Sequence, residues 1–293
     1  MKIGIDLGGS HIAVGIVTED GKILSKQEQN ISFIDFKDDS INIKIRDTIV
    51  SLINAVLRDA KIPIFLVKEI GIAIPGIVED NKIKKCSKFG IYDWDIAKEL
   101  EEHYAVDVKL ENDALCAALA EKEYGNLKDI DNAVFICLGT GIGGANIIDN
   151  KVLSAEYGHM IIEKQGIECN CGNRGCFENY CSMRVFKEQL IKLLELKPDT
   201  TSEELRKILL KEDRNIDNYI NEYIDNLIIG ISNIINIINP ETICIGGGFT
   251  YFKDILYPRL LEKAELTTYQ FNKPKIVIAN LGNDAGIIGA TLI

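Results

Sequence analysis

The chain has 293 residues, 46% of them apolar, with one Trp and a formal net charge of −11, which leaves material for two domains of ordinary size with packed cores. The acidic balance argues against a nucleic-acid partner, because binding a phosphate backbone selects for basic patches. No apolar run reaches the roughly 18 residues of a membrane span and no secretory signal precedes the first strand pattern, so a cytoplasmic location is expected, with neither membrane nor nucleic acid as partner.

Residues 2–7 form a short apolar run ending in Asp6-Leu7-Gly8-Gly9-Ser10, and residues 12–17 resume as a strand, so the glycines are expected in a tight hairpin. Helical periodicity covers 41–60, a strand pattern 69–75, a helix 94–103 and a strand 106–110. A helical run follows at 114–124. Residues 133–138 repeat the opening device, ending in Gly139-Thr140-Gly141-Ile142-Gly143-Gly144 before a strand at 145–148. Helices are expected at 184–196, 202–211 and about 217–238, the last ending before Pro240. A buried strand at 242–245 leads into Gly246-Gly247-Gly248, another strand covers 275–278, and a helix rich in small residues covers 284–292.

The eight cysteines are either scattered at apolar positions such as Cys116, Cys137 and Cys244 or clustered in one segment. In a reducing compartment the scattered ones read as small core residues. His159, Cys169, Cys171 and Cys176 offer one imidazole and three thiolates, which fill a tetrahedral zinc shell with no position for a catalytic water. Zinc is therefore expected to be structural. Glu156 and Glu178 flank the cluster, so it either braces a binding site or is a knuckle whose acids have no ligand role. Cys181 reads as a bystander.

Glycine turns let backbone N–H groups form an anion-binding concavity, though each also serves as an ordinary tight turn. Asp6 is either a turn residue or a carboxylate for Mg²⁺, an ion that keeps several waters and uses few protein carboxylates. In Glu111-Asn112-Asp113-Ala114, Asp113 is in position to cap a helix. Capping does not exclude catalysis: were a sugar hydroxyl beside Asp113, its carboxylate could accept the proton as the oxygen attacks the γ-phosphorus of ATP, while Asn112 holds a neighbouring hydroxyl. His11 either begins the second strand or contacts phosphate as a pH-dependent donor.

These residues together resemble the ROK family of bacterial sugar kinases and sugar-responsive repressors, over essentially the whole chain. The most specific part is Glu156-Tyr157-Gly158-His159 followed by Cys169-Asn170-Cys171-Gly172-Asn173-Arg174-Gly175-Cys176-Phe177-Glu178. The resemblance implies a two-lobed α/β, actin- and hexokinase-like (ribonuclease H-like) fold closing over a cleft where ATP meets the sugar. It implies a small lobe of residues 1–113 with 284–293, and a large lobe of 114–283 carrying the structural zinc motif and a helical insertion.

By the same resemblance Asp113 is the general base, and Asn112, Glu156, His159 and Glu178 hold sugar hydroxyls. Asp6, Gly8, Gly9, Ser10, His11, Gly139, Thr140, Gly141 and Gly143 embrace phosphates and Mg²⁺, and Gly247 and Gly248 border the adenosine. The implied activity is ATP-dependent phosphorylation of a hexose, glucose at its 6-hydroxyl, with allose, mannose, fructose and N-acetylmannosamine as competitors and a non-catalytic sugar-binding protein as the alternative. His11 is shared with allose-kinase-like members, and Tyr157 beside Glu156 either alters the pocket or packs outside it. A repressor of this family carries a DNA-binding segment before the first glycine turn, whereas Asp6 is five residues from the start, so the kinase is expected. A homodimer is expected, for which the apolar residues of 223–238 offer either an interface or core.

Overall fold

The computed structural model describes residues 1–9, 11–31, 40–211, 214–267 and 273–293. The chain divides into two units, Met1–Lys128 with Asn283–Ile293, and Asp129–Gly282. In chain order the first unit runs β1 (Lys2–Leu7), β2 (His11–Val17), β3 (Ile23–Asn30), α1 (Ile41–Ala60), β4 (Ile70–Ile74), β5 (Ile77–Glu79), β6 (Lys82–Cys86), β7 (Ile91–Trp94), α2 (Ile96–Tyr104), β8 (Val108–Asn112) and α3 (Asp113–Tyr124). The second holds β9 (Ala133–Leu138), β10 (Ile142–Ile148), β11 (Lys151–Ala155), α4 (Glu178–Cys181), α5 (Met183–Leu193), α6 (Ser202–Leu209), α7 (Arg214–Ile238), β12 (Thr242–Gly247), α8 (Lys253–Thr267) and β13 (Lys275–Ile278). The chain then returns to the first unit for α9 (Ala285–Ala290).

The main sheets of the two units share one topology. Strand order is β3-β2-β1-β4-β8 in the first and β11-β10-β9-β12-β13 in the second. In each, the first three strands form an antiparallel meander, and the two strands on its far side run parallel to its first strand. The device seen twice in the sequence is thus a repeated fold, with each glycine turn joining the first two strands of its sheet.

The central strands are Ile- and Val-rich because both faces are covered: every residue of β4 is buried, and so are Ile3, Ile5 and Leu7 of β1. Helix α1 lays Ile45, Ile49, Ile53 and Val56 along one face, the spacing of a helical stripe, into the same core. In the second unit, Leu227, Ile231 and Ile234 of α7 lie in a core with Val134, Ile136 and Ile245 of the sheet. The apolar face of α7 is therefore occupied within its own unit.

Several elements escape the sequence pattern. β3 is a polar edge strand, and β5, β6 and β7 form a separate three-stranded sheet in a stretch to which the sequence pattern assigned no strand. Trp94 ends β7 rather than starting a helix, and Asp95 caps α2 by accepting from the Lys98 amide at 3.3 Å. α8 runs through Pro258, a residue that normally argues against a helix interior. The sequence reading ended the first lobe at residue 113, but helix α3 packs on α9 within the first unit. A Cβ built on Gly289 would lie 1.8 Å from the Cys116 carbonyl oxygen, so the two helix backbones touch. Among the described residues no helix is long and apolar enough to cross a membrane.

Candidate functional site

In the first unit the strand order brings Asp6 and Asn112-Asp113 to one end of the three parallel strands β1, β4 and β8 of its mixed sheet. Asp6 is level with Ala73 of β4, and Ala73 with Glu111 of β8. The carboxyl ends of such strands are where open α/β sheets bind ligands. Burial pushes the Asp6 carboxyl up to about 7, the charge of Asp113 adds to the rise, and Lys26 opposes it. Lys26 in turn pairs with Asp284 at 2.8 Å. Gly286 lets α9 seat on the acid, since a Cβ there would lie 2.6 Å from Oδ2 of Asp6.

The helix cap is Asn112, not Asp113. Oδ1 of Asn112 accepts from the amides of Ala114 at 2.9 Å and Leu115 at 3.2 Å, and Nδ2 donates to the Gly76 carbonyl at 3.2 Å. Asp113 is the first residue of α3, with Oδ1 accepting from the Ala114 amide at 2.8 Å. Its acid is therefore held at the helix start without serving as the cap.

Gly8 and Gly9 occupy the β1–β2 turn, and Ser10 lies outside the described residues. His11 does begin β2, and its ring also lies on the turn: a Cβ built on Gly8 would stand 3.2 Å from Cε1. Lys88, between β6 and β7, reaches Gly9 from the other side. No sequence pattern marks it within Lys82-Ile83-Lys84-Lys85-Cys86-Ser87-Lys88, where lysine is the commonest residue.

In the second unit the glycine turn is shorter than the sequence suggests. It spans Gly139, Thr140 and Gly141, because β10 already starts at Ile142, and Gly143 sits in the ladder opposite Cys137. Arg184, which the sequence did not mark, holds the turn: its amide donates to the Gly139 carbonyl and its Nε to that of Thr140, each at 3.3 Å. Gly247 pairs with Leu138 across β12 and β9, so the turn of Gly139 and the glycines 247 and 248 lie at neighbouring strand ends.

The ligand atoms of His159, Cys169, Cys171 and Cys176 all lie within 4.8 Å of one another. Nδ1 of His159 stands 3.8 Å from Sγ of Cys169, and Sγ of Cys171 stands 3.6 Å from Sγ of Cys176. Tetrahedral zinc with metal–sulfur bonds of about 2.3 Å requires ligand atoms roughly 3.8 Å apart, so the donor set and its spacing fit zinc. The segment folds back at Gly172 and Gly175, both at positive φ. The Cys169 amide donates to the Asn173 carbonyl at 2.8 Å. Phe177, between Cys176 and Glu178, is fully buried against Gly230 of α7, where a Cβ would meet its ring at 2.4 Å. That anchor fixes the cluster on one side and Glu178 on the other.

Glu178 faces both the cluster and the glycine turn. Oε1 is 3.5 Å from Sγ of Cys169, and a Cβ on Gly141 would lie 2.7 Å from Oε2. Glu156 is exposed just before the turn of helix Tyr157–His159. Tyr157 is a core residue: its ring covers Gly144, its hydroxyl donates to Asn146, and burial raises its pKa. Cys181 is buried outside the four-residue cluster, as expected of a bystander. Cys116 and Cys244 are buried, whereas Cys137 is only half-buried.

Two α/β units of like topology, one with acids at its strand ends and the other with a three-cysteine, one-histidine cluster compatible with zinc, define the actin- and hexokinase-like class of fold. The chain belongs to the ROK family, whose family model matches residues 2–293. It is 32% identical to a glucokinase of Thermotoga maritima over 99% of this chain and 96% of that protein. It is 28% identical to a xylose repressor of Bacillus subtilis, over 100% of this chain and 76% of the repressor. A crystal structure of a ROK family glucokinase from Streptomyces griseus, in complex with glucose and AMPPNP, superposes with a TM-score of 0.82 at 25% identity, over 99% of this chain and 97% of that one.

Proposed function

We propose that the chain is an ATP-dependent kinase that phosphorylates a hexose, glucose at its 6-hydroxyl, with Asp113 as general base. The observation that carries this reading is the division of labour between Asn112 and Asp113, in which Asn112 takes the helix cap and Asp113 is held beside it at the strand end. The likeness to two glucokinases, one bound to glucose and AMPPNP, supports the same reading.

In this mechanism Asp113 accepts the hydroxyl proton as the sugar oxygen attacks the γ-phosphorus. Asn112, Glu156, His159 and Glu178 orient sugar hydroxyls. Backbone amides of Gly8, Gly9, Ser10 and Gly139, Thr140, Gly141, with His11 and Gly143 nearby, receive phosphate oxygens, and Gly247 and Gly248 border the adenosine. A single partly buried carboxylate at Asp6 suits Mg²⁺, which neutralises phosphate charge when bound. Zinc would be held by His159, Cys169, Cys171 and Cys176 and would supply rigidity, fixing the His159 ring so that its other nitrogen could meet a hydroxyl. The chain is proposed to act in the cytoplasm as a homodimer, which sedimentation at two concentrations tests.

The likeness to a xylose repressor favours a second reading, a sugar-responsive protein without turnover. ADP release from Mg-ATP across glucose, allose, mannose, fructose, N-acetylglucosamine and N-acetylmannosamine separates the two. Turnover on one sugar is expected, and binding of a sugar without ADP release on any of them overturns the kinase.

A further inference from the structure

Lys88 belongs to none of the motifs used above, yet its ammonium folds back onto the first glycine turn. A Cβ built on Gly9 would lie 1.8 Å from Nζ and 2.5 Å from Cε of Lys88, so the lysine tip fills the space that any side chain at position 9 would take. Lys88 is an exposed residue, and yet its tip lies against the backbone of the turn instead of extending into solvent. Burial of the Lys88 ammonium lowers its pKa, and Cys86 and Asp113 oppose that lowering. Asp6 precedes the turn in the chain, and the charge of Asp113 reaches Asp6.

We propose that Lys88 is a direct ligand of the phosphate group received at Gly8 and Gly9, bringing an ammonium donor to that phosphate. The inference rests on the kinase reading for the phosphate's identity, the terminal phosphoryl group of ATP. In the transfer, the sugar oxygen forms a bond to the γ-phosphorus while the bond from that phosphorus to the bridging oxygen of ADP breaks. The hydroxyl proton passes to Asp113 and the electron pair of the broken bond leaves on ADP. Lys88 joins none of these bonds; its N–H donors meet the phosphoryl oxygens as their charge develops.

The test compares wild type, K88M and K88R in two measurements, with thermal melting alongside. Methionine keeps the stem and removes the charge, and arginine restores the charge. The first measurement is kcat and KM for Mg-ATP with the preferred sugar; the second is calorimetric binding of non-hydrolysable ATP without sugar. K88M is expected to melt as wild type does, to lower kcat roughly 10²-fold and to weaken nucleotide binding about tenfold, and K88R to recover most of both.

If wild type turns over and K88M matches it within about twofold in both measurements, Lys88 is no phosphate ligand and the kinase reading stands. If wild type turns over no sugar but K88M still binds the nucleotide about tenfold more weakly, the kinase reading falls and the Lys88 site stands. A wild type that neither turns over nor binds the nucleotide overturns both. If K88M melts early and K88R does not restore binding, the role of Lys88 is packing and the inference fails.

Discussion

Oε1 of Glu178 stands 3.8 Å from Nδ1 of His159, and the other oxygen of the same carboxylate faces Gly141. One acid thus touches the surroundings of the cysteine cluster and of a glycine turn without belonging to the four-ligand set. Glu178→Gln is expected to retain zinc and to raise the KM for sugar roughly tenfold, about 1.4 kcal/mol. Metal analysis beside steady-state kinetics checks this; loss of zinc would make Glu178 a ligand rather than a neighbour.

Asp113→Asn keeps the size of the side chain, and the helix cap at Asn112 is untouched. Its melting temperature is expected to match wild type while kcat falls by about 10²-fold or more, because a general base acts on the transition state. Circular dichroism melting with ADP-release kinetics decides it, and retained turnover removes Asp113 from the base role.

Cys171 is the exposed member of the cluster. Cys171→Ser is expected to lower zinc content and melting temperature together, since metal binding to such a loop is coupled to its folding. Chelation of the wild type is expected to reproduce the shift. Unchanged zinc stoichiometry in the variant would exclude Cys171 from the ligand set.

The Asp6 carboxyl is raised from an ordinary 3.8 to about 7 in the folded chain, by burial first. Between those values the folded chain binds more protons than the unfolded one, so this group's contribution to stability falls as pH rises and is lowest above about 7. Asp6→Asn removes the term. The melting temperature of the variant relative to wild type is therefore expected to rise from pH 5 to pH 8 in the absence of magnesium. A difference that stays flat across that range would mean that Asp6 is not raised.

Nothing lies within 4 Å of a Cβ built on Gly139, whereas one on Gly141 meets Glu178. Packing does not require glycine at 139, and under the kinase reading the open space there admits a phosphate to the backbone. Gly139→Ala is expected to melt as wild type does and to raise the KM for ATP roughly tenfold. Nucleotide titration of the variant checks it; unchanged affinity would leave the turn a plain hairpin.

The parts of this molecule legible in its sequence are those where local chemistry has few alternatives. Three cysteines and a histidine in a glycine-rich segment have one common use, and the four residues do converge. The glycine turns announced both hairpins, because each is flanked by strands of buried Ile and Val. What stayed hidden depends on distant neighbours. Gly143 looks like turn until β9 pairs with it, and Asp113 looks like a cap until Asn112 takes the role. Arg184 and Lys88 carry no local mark, since their importance comes from the turns that they reach. Pro258 masks α8, where the helix continues despite the missing donor.

The like strand orders of the two sheets make β1 and β9 counterparts, and at their ends Asp6-Leu7-Gly8 stands where Cys137-Leu138-Gly139 stands in the other copy. The two sheets therefore carry different chemistry at the same place: an acid precedes the glycines of one hairpin and a cysteine precedes those of the other, so like backbones present unlike side chains beside their turns.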